Sequence, residues 1–270
     1  TQTPTGYLPG DGFRIHAAAG FNKECTVIDI NNGCAGFVLS LSLALSSNEL
    51  FGNILITTSD AYSTIMRNSS RSTQAIFSDG ASATYLSFKN LRSSRILGYD
   101  SFSDGESRSA LEIESTSGEL FMNGPAVYLF TQSVVEKSIK RTLDAASIKL
   151  ESVDKFYFHH PSRLVLEGLI TNMKLERNKV IGIESDNLIN ATSSSIPYLL
   201  DNWEPIQNTE GAYNVEFTQK TAACAEFDVQ GVIITGILDE NHEVIIEDNP
   251  TQEITNVEVE TNQETPDPMI

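Results

Sequence analysis

Three cysteines occur in the chain, Cys25, Cys34 and Cys224, and only Cys34 lies between glycines, in the stretch DINNGCAGF at residues 29–37. The apolar run Thr26-Val27-Ile28 precedes it and Val38-Leu39-Ser40-Leu41 follows it, a pattern that predicts a strand handing over to a helix at the thiol. The thiolate is the nucleophilic form of cysteine, and the unpaired N–H groups and dipole of a helix N-terminus favour it. Gly33 and Gly36 permit a tight turn and close approach of a substrate. The plain alternative is a buried structural cysteine in a glycine-rich turn. A cysteine nucleophile needs a base or proton partner, and the chain offers four histidines, His16, His159, His160 and His242. His159 and His160 end the run KFYFHH before Pro161, where the carboxyl end of a strand can open into a crevice. The alternative for each is a histidine satisfied in the core or on the surface. Asn190, in LINATSSSIP, offers an amide, or else caps the helix that follows.

These side chains have to be positioned by alternating strands and helices. CTVIDI (25–30) reads as a buried strand and AGFVLSLSLALSSNELFG (35–52) as a helix apolar nearly all round, therefore buried. ILITTSD is the next strand, and RSTQAIFSDGASATYLSF reads as a loop, a turn at Asp79-Gly80 and a further strand. Residues 87–118 read as irregular, with one strand near RILGYDSF. Val127, Phe130, Val134, Ile139 and Leu143 recur near the helical period in VYLFTQSVVEKSIKRTLDAAS. KFYFHH, SRLVLEGLITNMK, KVIGIES, SSSIPYLLDN, AACAEFDV and GVIITGIL follow as strand, helix, strand, helix, strand and strand, with a polar loop, WEPIQNTEGAYNVEFTQ, before the last two. The class is α/β.

Bulk properties exclude several functions. A chain of 270 residues with 40% hydrophobic content can bury a large core, as one big domain or two similar halves. A formal net charge of −18 argues against a nucleic-acid partner and against docking on anionic lipid. No stretch has the length and apolarity of a membrane span, and no signal peptide is visible. The cysteine spacing makes neither a disulfide framework nor a zinc site, and a reducing cytoplasm is the simplest compartment. Residues 239–270 carry many acids and no Lys or Arg, and the end, TNQETPDPMI, is expected to be a solvated, disordered tail.

Several of these segments, in order, resemble the β-ketoacyl-ACP synthase III family of the thiolase fold. TQTPTGYLPG resembles the stretch leading to its dimer loop, DINNGCAGFVLSLSLA its nucleophile segment, and RSTQAIFSDGASATYL its Phe-x-Asp-Gly-Ala turn. LFMNGPAVYLFTQSVV resembles the opening of its second half, FYFHHPSRLVLEGL its histidine motif, and NATSSSIPYLL its Asn-Thr…Ser-Ile-Pro motif. The resemblance implies two similar βαβαβ halves in an α-β-α-β-α layering, with the first half incomplete. Residues 1–110 would be the remainder of that half, 111–250 the second half and 251–270 the tail.

The implied site is Cys34, His159 and Asn190. Cys34 takes an acyl group from acyl-CoA, and His159 and Asn190 promote decarboxylation of malonyl-ACP for a Claisen condensation in fatty acid or polyketide synthesis. A register that keeps Ser162 and Arg163 in step selects His159, whereas alignment on a Pro-His-Gln pattern selects His160. The resemblance further implies Arg163 on the carrier-protein surface, Leu8 as acyl-pocket gate across a homodimer or heterodimer, and Gly236 in the oxyanion loop. It implies no permanently bound cofactor and no metal. The sequence departs from the family in three ways: the family's opening segment is absent, Asp239 stands at a loop glycine, and Ile189 replaces the glycine before the asparagine. Without the opening segment, sheet edges and core would be exposed and the chain alone unstable, so that segment is truncated or supplied by another chain. Two further readings remain: acyl transfer to an alcohol or amine on the same fold, and a non-catalytic subunit of a heterodimer.

Overall fold

The computed structural model describes residues 1–86, 94–113, 117–183, 190–201 and 232–237. The chain opens with an exposed arm, on which Tyr7 and Leu8 are 100% and 91% exposed. Helix α1 (Asp11–Ala18) follows and buries none of its residues. The segment 25–30, expected as a strand, has no regular secondary structure and pairs with no described strand, and Ile28 stays 65% exposed. β-Branched composition supplies a preference, but a strand exists only where a neighbour takes its backbone groups.

Helix α2 (Gly36–Ser46) begins two residues after the thiol, and α3 (Asn48–Phe51) continues it after an interruption at Ser47, ended by Gly52 at φ +68°. Phe37, Val38, Ser42 and Ala44 are buried. Leu43 is 48% exposed, so α2 is covered on one side rather than all round.

Strand β1 (Ile54–Asp60) leads through a short helix, α4 (Arg71–Gln74), to β2 (Gly80–Leu86). The two pair antiparallel, Ile54 opposite Leu86 and Asp60 opposite Gly80. Alternation sends Ile56, Thr58 and Asp60 to the same inner face as Ser82, Thr84 and Leu86. One end of that face is apolar, with Ile56 and Leu86 packed on Phe37 and Ala44 of α2. The other end is polar, where the Thr58 hydroxyl lies 2.6 Å from both Ser82 Oγ and Ser194 Oγ. This polar end is the floor of the site described below.

Strand β3 (Ser94–Asp100) pairs antiparallel with β6 (Val232–Ile237), with an irregularity between Ile96 and Gly98. Between them in sequence come a small hairpin, β4 (Leu111–Ile113) with β5 (Leu120–Met122), and α5 (Gly124–Ala146). The Asn123 side chain accepts from the Ala126 N–H at 3.2 Å, and Ser147 in the left-handed region ends the helix. Helix α6 (Arg163–Met173) starts at a Ser162 cap and packs on α5 around Ile139, Leu143, Leu166 and Leu169.

KFYFHH and KVIGIES, both expected as strands, share one parallel bridge, Phe156 with Val180. Residues 181–183 then turn, with Gly182 at φ +79°, which stops the ladder. A 3-10 turn (Thr192–Ser194) and α7 (Ser195–Asp201) match the helix expected at SSSIPYLLDN. AACAEFDV, the whole polar loop before it, Ile189, Asp239 and the acidic tail lie outside the described residues. Among the described residues no helix is long and apolar enough to cross a membrane.

Candidate functional site

Cys34 sits at the N-terminal end of α2, where the Gly36 N–H donates to the Gly33 carbonyl at 2.8 Å. The thiol is 2% exposed and belongs to a cluster with Tyr62, Met66, Phe77 and Leu120. The space beside Gly33 is taken by the chain itself rather than left for a substrate. A Cβ on Gly33 would fall 2.5 Å from Gln2 Oε1, the atom that also accepts the Tyr62 hydroxyl. Gly36 faces the turn that carries the asparagine, and a Cβ there would make ordinary contact, 3.7 Å, with Ser193 Cβ.

That turn joins the other two expected groups. Asn190 is 4% exposed, and its Nδ2 donates to the Pro161 carbonyl at 3.3 Å, directly after the histidine pair. Its Oδ1 is buried without a donor, and the second hydrogen on Nδ2 stays available to a ligand. His159 is half-buried as a residue, yet both ring nitrogens are shut off from solvent. Burial pushes it from 6.5 down to about 3, and the neighbouring His160 adds to this, against the opposing influence of the Thr192 backbone carbonyl. His160 Nε2 lies 3.2 Å from the Ile181 carbonyl, and burial brings its pKa down to about 4. Both rings are therefore neutral imidazoles near neutral pH. A neutral imidazole and an amide can each offer an N–H to a developing oxyanion.

His160, Pro161, Ser162 and Asn190 line a small cleft of about 140 Å³, closed on its other side by Ala75 and Ile76. Ile76 packs in turn on the Cys34 cluster. Imidazole and amide from separate segments thus meet around one cleft, and Ile76 links that cleft to the cluster that buries the thiol. The sequence register selects His159, and in the structure it is His160 that lines the cleft while His159 meets the asparagine turn.

One participant was not legible in the motifs. Asp60, at the end of β1, is 2% exposed and accepts from four donors. Oδ1 takes the Gln2 N–H at 2.6 Å and the Thr1 hydroxyl at 3.2 Å; Oδ2 takes the Thr192 hydroxyl at 3.0 Å and the Ser193 hydroxyl at 2.7 Å. The available signal was an acid in phase with Ile56 and Thr58 on an inward-facing strand. Thr192, held there, has φ +43°.

The remaining expected residues lie apart from the cleft. Arg163 is exposed at the start of α6, with its guanidinium 3.3 Å from the Ile183 carbonyl. Leu8 projects from the arm. Gly236, expected in a loop, is a strand residue of β6 opposite Arg95, because the ladder with β3 runs through Ile237.

The chain has relatives among known proteins. Residues 28–105, spanning the nucleophile segment, β1 and β2, match the family described as 3-oxoacyl-[acyl-carrier-protein (ACP)] synthase III. The chain is 28% identical over 219 residues to the β-ketoacyl-[acyl-carrier-protein] synthase III of Porphyra umbilicalis, covering 74% of the chain and 66% of that protein. It is 28% identical over 178 residues to the Staphylococcus haemolyticus enzyme of the same name, covering 65% of the chain and 56% of that protein. It therefore spans two-thirds or less of these relatives' length. A crystal structure of a 3-oxoacyl-(acyl-carrier-protein) synthase III shares the fold with a TM-score of 0.69 at 23% identity, over 83% of this chain and 75% of that one. The Pseudomonas aeruginosa structure gives 0.67 at 24% identity, over 74% and 64%. The α/β fold is thus thiolase-like, and over residues 28–105 the chain is similar to the 3-oxoacyl-[acyl-carrier-protein] synthase III family.

Proposed function

We propose that this chain is a condensing enzyme that holds an acyl group on Cys34 and joins it to a malonyl unit carried on an acyl carrier protein. The observation that best supports this is the turn at 190–194. It packs at once on the N-terminal end of α2, through Ser193 and Gly36, on His159 through Thr192, and on Pro161 beside the histidine pair through Asn190.

The Cys34 sulfur attacks the carbonyl carbon of an acyl-CoA thioester, and the bond from that carbon to the coenzyme A sulfur breaks. Coenzyme A leaves and takes up the thiol's proton. The malonyl thioester then loses carbon dioxide, and the electron pair of the broken C–C bond passes to the α-carbon and its thioester oxygen. His159 and Asn190 donate to that oxygen, stabilising the enolate as it forms. The carbanion attacks the Cys34 thioester, a C–C bond forms, and the Cys34 thiolate is released. No electron acceptor or permanently bound cofactor enters these steps. Arg163, exposed at the start of α6, suits contact with an acidic carrier, and Leu8 on its arm suits burial against a second subunit in a homodimer or heterodimer.

Incubation with acyl-CoA followed by mass spectrometry should place one adduct on Cys34. His159→Gln and Asn190→Ala should keep that adduct while slowing malonyl decarboxylation about a hundred- to thousandfold, the usual cost of one oxyanion donor. His160→Gln should cost far less. An adduct that survives Cys34→Ala overturns the proposal.

A further inference from the structure

We propose that Asp60 is a positioning residue for the decarboxylation step, holding the turn that aligns His159 and Asn190 while it ties that turn to the nucleophile's side of the cleft. This rests on the function proposed above.

Asp60 divides its two oxygens between the two sides of the site. Oδ1 holds the backbone N–H of Gln2, whose side chain fills the space at Gly33 and accepts from Tyr62, a neighbour of Cys34. Oδ2 holds the hydroxyls of Thr192 and Ser193. Thr192 meets the His159 ring through its backbone, Ser193 abuts Gly36, and Asn190 lies two residues earlier. Among the described residues no cation pairs with this carboxylate, so hydrogen-bond donors alone hold it in a buried position. Its donors come from segments 58 and 132 residues away. A carboxylate accepts at both oxygens, whereas the isosteric amide accepts at one and donates at the other. The Gln2 N–H can only donate, so an asparagine would keep its oxygen on that side. It would then turn its NH₂ toward Thr192 and Ser193, reversing the bonds that hold the turn.

The test compares Asp60→Asn and Ser193→Ala with the wild-type full chain. Ser193→Ala removes the 2.7 Å bond without altering the buried carboxylate, and so serves if the first variant fails to fold. Three quantities are read: Cys34 acylation by acyl-CoA, decarboxylation of malonyl-CoA, and the ¹⁵N shifts of the His159 ring, assigned with His160→Gln. The expected result is decarboxylation slowed about ten- to a hundredfold, acylation within about threefold, and displaced His159 signals, because small misplacements of a positioned group cost that much. Unchanged His159 signals overturn the proposal, as do equal losses in both half-reactions, which indicate a merely structural role. If the wild-type chain neither acylates nor decarboxylates, the proposed function fails, and the His159 signals alone decide the role of Asp60.

Discussion

The two adjacent histidines are the residues whose ionisation most affects this molecule. Each has an ordinary pKa of 6.5, lowered by burial to about 3 for His159 and about 4 for His160. In the unfolded chain both take up protons as pH falls through 6.5, while the folded chain resists until near pH 4. Between those values the unfolded state binds more protons, so stability is full above pH 6.5 and declines as the pH falls toward the folded values. Asp11, Asp100 and Glu167, whose pKa values are lowered by hydrogen bonds, add a loss in the same direction, but only in the carboxylate range. The two contributions separate in a series of melting temperatures from pH 7 to pH 5. His160→Gln should flatten the decline there, and an unchanged slope would mean that the ring titrates freely in the folded chain. Of the candidate site residues, Cys34, His159 and Asn190 were legible because each sits in a short motif with its own local logic. Asp60 was not: its importance comes from donors that are distant in sequence, and a lone acid closing ILITTSD carries no local sign of them.

Elements were legible to the extent that their stabilising contacts are local or periodic. ILITTSD and GASATYL show the alternation of a strand pair, and α5 and α6 show helical spacing with caps at Asn123 and Ser162; all four form as expected. CTVIDI and KFYFHH have equally good strand composition, but one finds no described partner and the other a single bridge. A partner's presence is a tertiary fact that composition does not report. The seam between β3 and α5 is a further case. Gly98 lies so close to α5 that a Cβ there would fall 2.5 Å from the Thr142 backbone carbonyl. Since neither backbone can yield locally, Gly98→Ala should push strand and helix apart and cost about 1–3 kcal/mol, as overpacking does in tight cores. Urea unfolding would measure it, and a loss below about 0.5 kcal/mol would show that the seam can open freely.

At the scale of the molecule, the charge of −18 argues against nucleic-acid and anionic-membrane partners from composition alone, and the family resemblance supplied a fold that alternation could only class as α/β. The polar floor of β1 and β2 supplies what neither could: it is where the rest of the fold acts on the site. Thr192, a β-branched residue at φ +43°, occupies a region that side chains of its shape avoid, at a cost of about 1–3 kcal/mol. The conformation persists because the Asp60 carboxylate holds the hydroxyls of Thr192 and Ser193, and the Thr58 hydroxyl, itself bonded to Ser82, meets that of Ser194. Folding free energy gained elsewhere is therefore diverted into keeping the turn at residues 192–194 bent. Such a protein stands below its own attainable stability. Thr192→Gly relieves the bend but also takes a hydroxyl from the buried Asp60 carboxylate, so it should melt no higher than the wild type and decarboxylate more slowly. A variant both more stable and equally active would mean that the bend serves nothing, and that the chain tolerates it only as a relic of its sequence.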